Sequence, residues 1–232
     1  MGKMRSVFLW TLLTLLLLLP LGTPLSAIFG YRFILASAQG FAIAIAVIAG
    51  LTVLFHIRCA EEGDLFVHLR CLLPPLSVIS GFFYILSCHK PLVVICALVT
   101  VVCCFFLAIT VKKKTSLNII AICLSLAMLL PMGFMAFIAC IFGSLGKDTV
   151  VQTVVSPNQA YCAQVIDSDH GATGGATIVR VCQKSTLDAT LFRIEKRPKI
   201  VYRGQWGVYK TMNIRWKNDR CLIINSREYE VK

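Results

Sequence analysis

Four side chains between residues 56 and 71 are of the types that hold zinc. They come as a four-residue unit, His56-Ile57-Arg58-Cys59, repeated at a spacing of twelve as His68-Leu69-Arg70-Cys71. Residues three apart share a helix face, so each unit can present two ligands from one helix end. Two His and two Cys suit tetrahedral zinc, and a cytosolic position would keep the thiols reduced. Thiol modification such as palmitoylation, or plain structure, are the other readings of His56, Cys59, His68 and Cys71. A second candidate is Asp167-Ser168-Asp169-His170-Gly171, the first half of a calcium loop, D-x-D-x-G. The Glu that closes an EF-hand loop is missing, because Ile178 stands at the twelfth position. Asp167 and Asp169 therefore offer a weak calcium site or an acidic, solvated turn. Gly171 to Gly175 is glycine-rich but lacks the GK[ST] of a phosphate loop. No Ser/His/Asp or Cys/His set suggests nucleophilic catalysis, so no catalytic or cofactor-binding residue is assigned. Zinc and calcium are the sole cofactor candidates.

The elements that must position these residues differ along the chain. From Val150 onward, short apolar runs alternate with turn residues: Val150–Val155, Tyr161–Ile166, Thr177–Cys182, Leu191–Ile194, Ile200–Tyr202, Met212–Trp216, Cys221–Ile224 and Tyr229–Val231. Such punctuation predicts a small antiparallel β domain. If the second and third runs pair around the glycine loop, partners have numbers summing to 344. Cys162 then faces Cys182, and a cross-strand disulfide is expected. Arg203, Lys210, Arg215, Lys217 and Arg220 interleave with Tyr202, Trp206, Tyr209 and Trp216. They make either a basic aromatic surface for lipid head groups and anionic envelope polymers, or a core with a charged outer face.

The first 146 residues have a different composition. The whole chain has 232 residues, 57% hydrophobic and only 15% charged, with a formal net charge of +12. Soluble chains run near a quarter charged. Arg5, Arg32, Arg58, Arg70, Lys90 and Lys112–Lys114 bound five uncharged blocks: 6–31, 33–57, 71–89, 91–111 and 115–146. A crossing needs about 20 apolar residues at about 1.5 Å each, and in lipid only a helix satisfies its own backbone. Five transmembrane helices are expected, over about 6–29, 33–57, 71–89, 91–111 and 117–143. Seven Lys/Arg then fall on the N-terminal side of the membrane and two, Arg32 and Lys90, on the other. The bias predicts a cytoplasmic N-terminus and an extracytoplasmic domain over 147–232.

The basic start and the Val7–Leu19 run also fit a signal peptide, but Leu25-Ser26-Ala27 is a poor cleavage site. The first segment is expected to remain as a helix. No Asp, Glu, Lys or Arg lies inside any block, which argues against an ion-coupled transporter or an intramembrane acid protease.

Two stretches carry a resemblance. Ser156-Pro157-Asn158-x-x-Tyr161-x-Ala163-x-Val165, followed by Asp167-Ser168-Asp169-x-Gly171-Ala172-x-Gly174-Gly175, is one. Ile214-Arg215-Trp216-Lys217-Asn218-Asp219-x-Cys221-Leu222-x-Ile224-Asn225 with Tyr229 is the other. Together they resemble a family of uncharacterised domains found mainly in Gram-positive bacteria and often attached to a membrane anchor. The resemblance covers roughly residues 150–231 and implies a bacterial source and a small β domain, with no activity attached. The Ser-Pro-Asn start is also similar to a β-propeller blade, but one copy cannot build a propeller.

The expected architecture is a membrane all-α part plus a small antiparallel all-β C-terminal domain. The expected role is a non-enzymatic envelope module for binding, sensing or assembly. Its partners would be the lipid bilayer, other membrane proteins or anionic envelope components, and not nucleic acid. The rival is an accessory subunit of a small transporter or channel; an envelope enzyme ranks third.

Overall fold

The computed structural model describes residues 2–58, 64–88, 90–111, 116–142, 146–171, 174–183 and 187–231. Five helices are long and apolar enough to cross a membrane. They are α1 (Gly2–Ile28), α2 (Ala38–Arg58), α3 (Asp64–Ser87), α4 (Pro91–Ile109) and α5 (Ser116–Phe142). Thr52, Thr100 and Ser125 return their hydroxyl protons to carbonyls one turn back, at 2.7, 2.8 and 2.5 Å. That is how a hydroxyl is accommodated where water is absent. Helices α2 and α4 are tied at both ends. Lys90 Nζ donates to Gln39 Oε1 at 3.3 Å, and Thr110 Oγ1 lies 3.0 Å from His56 Nε2.

One expectation changes here. The block 33–57 is not helical from its start, because residues Tyr31–Leu35 form a strand, β1, and α2 begins at Ala38. Both breaks have local causes. Gly30, at φ +77, ends α1 in a left-handed turn that a side chain rarely adopts. Ser37 Oγ accepts from the Gly40 N–H at 3.0 Å, an N-cap that starts α2. The six residues between, 31–36, are too few for a helix and rich in aromatic and branched side chains.

The remaining strands are β2 (Lys147–Val155), β3 (Tyr161–Asp169), β4 (Gly175–Gln183), β5 (Leu187–Asp188), β6 (Phe192–Lys196), β7 (Lys199–Gln205), β8 (Ile214–Asn218), β9 (Cys221–Ile224) and β10 (Arg227–Glu230). They form three antiparallel sheets, in the orders β2-β3-β4-β7, β10-β9-β8 and β1-β6-β5. Ala163, Val165, Val179 and Val181 from the first sheet pack with Ile214, Leu222 and Ile224 of the second. This alternation of core-facing residues is what the period of two demands. The third sheet is completed by β1, with Phe33 opposite Ile194 and Arg32 opposite Glu195.

The chain divides into two compact units that do not follow its order. One holds Met1–Leu25 and Ser37–Cys140; the other holds Ser26–Ala36 and Ile141–Lys232. In the helical unit, Leu9, Leu12, Leu16 and Leu19 of α1 are all buried.

Candidate functional site

The polar residues singled out in the β unit meet at one end of the β3–β4 hairpin. Alternation along β3 puts Asp167 and Asp169 on one face and Ser168 and His170 on the other. Asp167 is engaged by two aromatic residues. Trp206 Nε1 donates to its Oδ1 at 2.9 Å. The Tyr209 phenol is pushed above its ordinary pKa, first by burial and then by the same carboxylate. Asp169 Oδ1 accepts from the Gly171 N–H at 2.8 Å, a local turn that shapes the hairpin end. Gly175 is required there, since a Cβ would stand 2.7 Å from both the Ser168 carbonyl and the Trp206 ring. Among the described residues, no three His, Cys, Asp or Glu gather as they would around a metal.

On the opposite face, Ser168 donates to Asp148 Oδ1 at 2.5 Å, and its oxygen lies 3.4 Å from His170 Nε2. Asp148 comes from β2 and pairs directly with Ser168 in the register. The sequence reading missed this trio because Asp148 lies twenty positions away; the only signal was an acidic residue opening the strand that pairs with β3. The trio has the residue types of a hydrolytic triad in a different order. In a triad the imidazole lies between hydroxyl and carboxylate and removes the hydroxyl proton. Here the hydroxyl lies between the other two, gives its proton to the carboxylate, and is almost fully buried. This geometry fastens β2 to the hairpin rather than arming a nucleophile.

The remaining candidates separate. The β3–β4 register pairs Cys162 with Cys182, as the sum of 344 requires. Burial raises the pKa of both thiols, offset at Cys182 chiefly by Arg180. Of the proposed zinc ligands, Cys59 lies outside the described residues. His56 closes α2, His68 lies within α3 rather than in a loop, and Cys71 is fully buried in α3. Trp216 is half-buried and donates to the Val154 carbonyl at 3.0 Å, whereas Trp206 is exposed. The basic residues Arg203, Lys210, Arg215, Lys217 and Arg220 are all exposed.

Much of the quoted pattern proves to be turn chemistry. Ser156 Oγ donates to Asn158 Oδ1 at 2.8 Å and accepts from the Tyr161 N–H at 3.0 Å. Asn158 Oδ1 also accepts from the Ala160 N–H, and the Asn158 N–H reaches Asp219 Oδ1, both at 2.9 Å. Asn225 and Ser226 take positive φ in the two-residue turn between β9 and β10.

The model of a family of unknown function, DUF5412, matches residues 114–232. The chain belongs to this family. No curated protein and no solved structure matches it. The family's span takes in α5 together with β2 to β10, and it leaves out β1.

A second polar feature lies inside the helical unit. Ser77, Ser80 and Tyr84 fall on one face of α3, and with Thr100 of α4 they border a cavity of ≈ 10 Å³. Ser77 donates to the Pro74 carbonyl at 2.8 Å. Ser80 Oγ and Tyr84 OH are buried and have no hydrogen-bond partner among the described residues. The space is close to the minimum for one water molecule.

Proposed function

We propose that this is a multi-pass protein of a bacterial cell membrane whose β unit is a non-enzymatic envelope module for binding, sensing or assembly. The observation that carries the reading is β1, the strand between α1 and α2 that is built into the β unit. Four helices separate β1 from β2, so an even number of crossings returns the chain to the side on which β1 lies. This parity supports five crossings, and the excess of Lys and Arg on the N-terminal side supports a cytoplasmic N-terminus with the β unit outside. The hydroxyl of Ser168, committed to Asp148, supports binding over catalysis. On that side of the membrane, Cys162 and Cys182 would join as a disulfide. The exposed basic residues beside Trp206 would suit anionic envelope components.

Labelling of intact cells with a membrane-impermeant thiol reagent tests the reading. Modification of Cys162 and Cys182 only after reduction is the expected result. Modification only after permeabilisation would put the β unit in the cytosol and overturn it.

The buried hydroxyls of Ser80 and Tyr84 favour a second reading, a subunit of a small transporter or channel. Solute flux through vesicles holding the purified protein, abolished by Ser80→Leu, would carry that reading. Flux no greater than that of empty vesicles would remove its support.

A further inference from the structure

We propose that the β1-β6-β5 ribbon is a lipid-docking surface that rests in the head-group layer and prefers anionic lipids. The proposal depends on the helices crossing a bilayer, as the functional reading holds, and not on which side the β unit faces. Its first support is the tether. β1 starts three backbone steps after α1 ends and stops three steps before α2 begins, and three steps reach at most about 11 Å. A strand fastened so closely to two membrane-crossing helices has to lie at the interface, a layer of roughly 5–8 Å on each side of the hydrocarbon core.

The second support is what the ribbon exposes. Ile28 and Phe29, which lead into β1, are 78% and 70% exposed, and Leu187 and Leu191 are 49% and 59% exposed. They lie at the two ends of the ribbon. At one end the Arg197 N–H donates to the Gly30 carbonyl next to Ile28 and Phe29; at the other the Ala36 N–H donates to the Leu191 carbonyl, and Leu187, opposite Ile194, belongs to the same β5–β6 hairpin. Water alone would leave these large apolar side chains at both ends unfavourably hydrated. Along the ribbon stand Arg32, Arg193, Lys196 and Arg197, all exposed, with Glu195 among them. Glu195 lies 3.9 Å from Arg32 and 3.3 Å from Arg193, which leaves Lys196 and Arg197, both exposed, to meet lipid phosphates. Apolar side chains flanked by cations are what an anionic leaflet attracts.

The test uses the full-length protein in vesicles of phosphatidylglycerol and phosphatidylcholine, with benzoylphenylalanine replacing Leu187, Leu191, Leu130 or Arg227 in turn. Leu130, on α5, reports whether the helices contact lipid, and Arg227, on β10, is the control in the β unit. Irradiation should yield lipid adducts at Leu187, Leu191 and Leu130 and few at Arg227. Phosphatidylglycerol should be over-represented in the ribbon adducts, with about a fivefold loss of that preference for each of Lys196→Gln and Arg197→Gln. Lipid adducts at Leu130 without any at Leu187 or Leu191 overturn the docking surface alone, and so do ribbon adducts to protein only. No lipid adduct at any position overturns the membrane reading itself.

Discussion

The two units differ in how completely they satisfy their buried hydroxyls. In the β unit Ser156, Ser168 and Thr177 are buried, and each has a named partner: Tyr161 and Asn158, Asp148, and the Tyr209 N–H. In the helical unit Thr52, Ser77, Thr100 and Ser125 bond back to their own helix, but Ser80 and Tyr84, equally buried, have no partner among the described residues. A β domain this small has a thin core, so each satisfied polar group contributes to a unique fold. A helix satisfies its own backbone, so the helical unit can leave side-chain hydroxyls idle at a cavity. The lesson is that the β unit's buried hydroxyls act as structure, whereas Ser80 and Tyr84 of the helical unit are available for a guest.

The largest expected effect strikes the hairpin end. Gly175→Val would push side-chain atoms into the Ser168 carbonyl and the Trp206 ring, both already only 2.7 Å from a Cβ. Overpacking against backbone should cost about 2 kcal/mol or more. Thermal unfolding of the full chain in lipid discs, followed by Trp206 and Trp216 fluorescence, measures it. An unchanged transition would show that the hairpin end is loose, and the contrast between the units would weaken.

A paired substitution addresses the contrast directly. Ser168→Ala removes the bond that fastens β2 to the hairpin and should destabilise by about 1–2 kcal/mol. Ser80→Ala removes an oxygen with no partner and should leave stability unchanged, or raise it by about 1 kcal/mol. The same unfolding measurement reads both. Equal losses in the two variants would mean that Ser80 is hydrogen-bonded to a guest, and would strengthen the transport reading.

How much of this was legible in the sequence differs between the units for the same physical reason. Hydropathy over twenty residues averages out local detail, so the five spans were evident while the break at β1 was not. Gly30 and Ser37, the two caps that bracket β1, were visible, but a strand of five residues inside an apolar block gives too little periodicity to compete. Its partner β6 lies 160 residues away, and no local pattern announces a pairing over that distance. The β3–β4 register was legible because a glycine-rich turn fixes it, and it brought Cys162 opposite Cys182. The Asp148-Ser168-His170 trio was not, since it depends on the β2–β3 register across a bulge between Val150 and Gln152. The calcium-like spacing of Asp167 and Asp169 did place them on one face, but Trp206 and the Gly171 N–H already occupy a carboxylate oxygen of each.

The smallest expected effect concerns a surface pair in the β unit. Lys217 Nζ donates to Glu228 Oε1 at 2.6 Å, bridging β8 and β10, with both side chains about half exposed. The hydrogen bond and the charge of Lys217 hold the Glu228 carboxyl below its usual pKa. The Lys217 ammonium is correspondingly raised. A carboxylate depressed on folding stabilises the folded state above the pKa of the unfolded chain, and that stability is lost as the pH falls through the folded value. The pair should therefore add stability at neutral pH and lose it on acidification through the carboxylate range. Solvent and salt screen such exposed pairs heavily. Glu228→Gln should accordingly flatten the acid limb of a stability-versus-pH curve slightly and leave the neutral plateau nearly unchanged. A large loss at neutral pH would mean that Glu228 has a second role, most directly through Cys221, whose thiol donates to Glu228 Oε2 at 3.6 Å. Such a loss would extend to the β10-β9-β8 sheet the rule that the β unit's polar side chains hold the fold together.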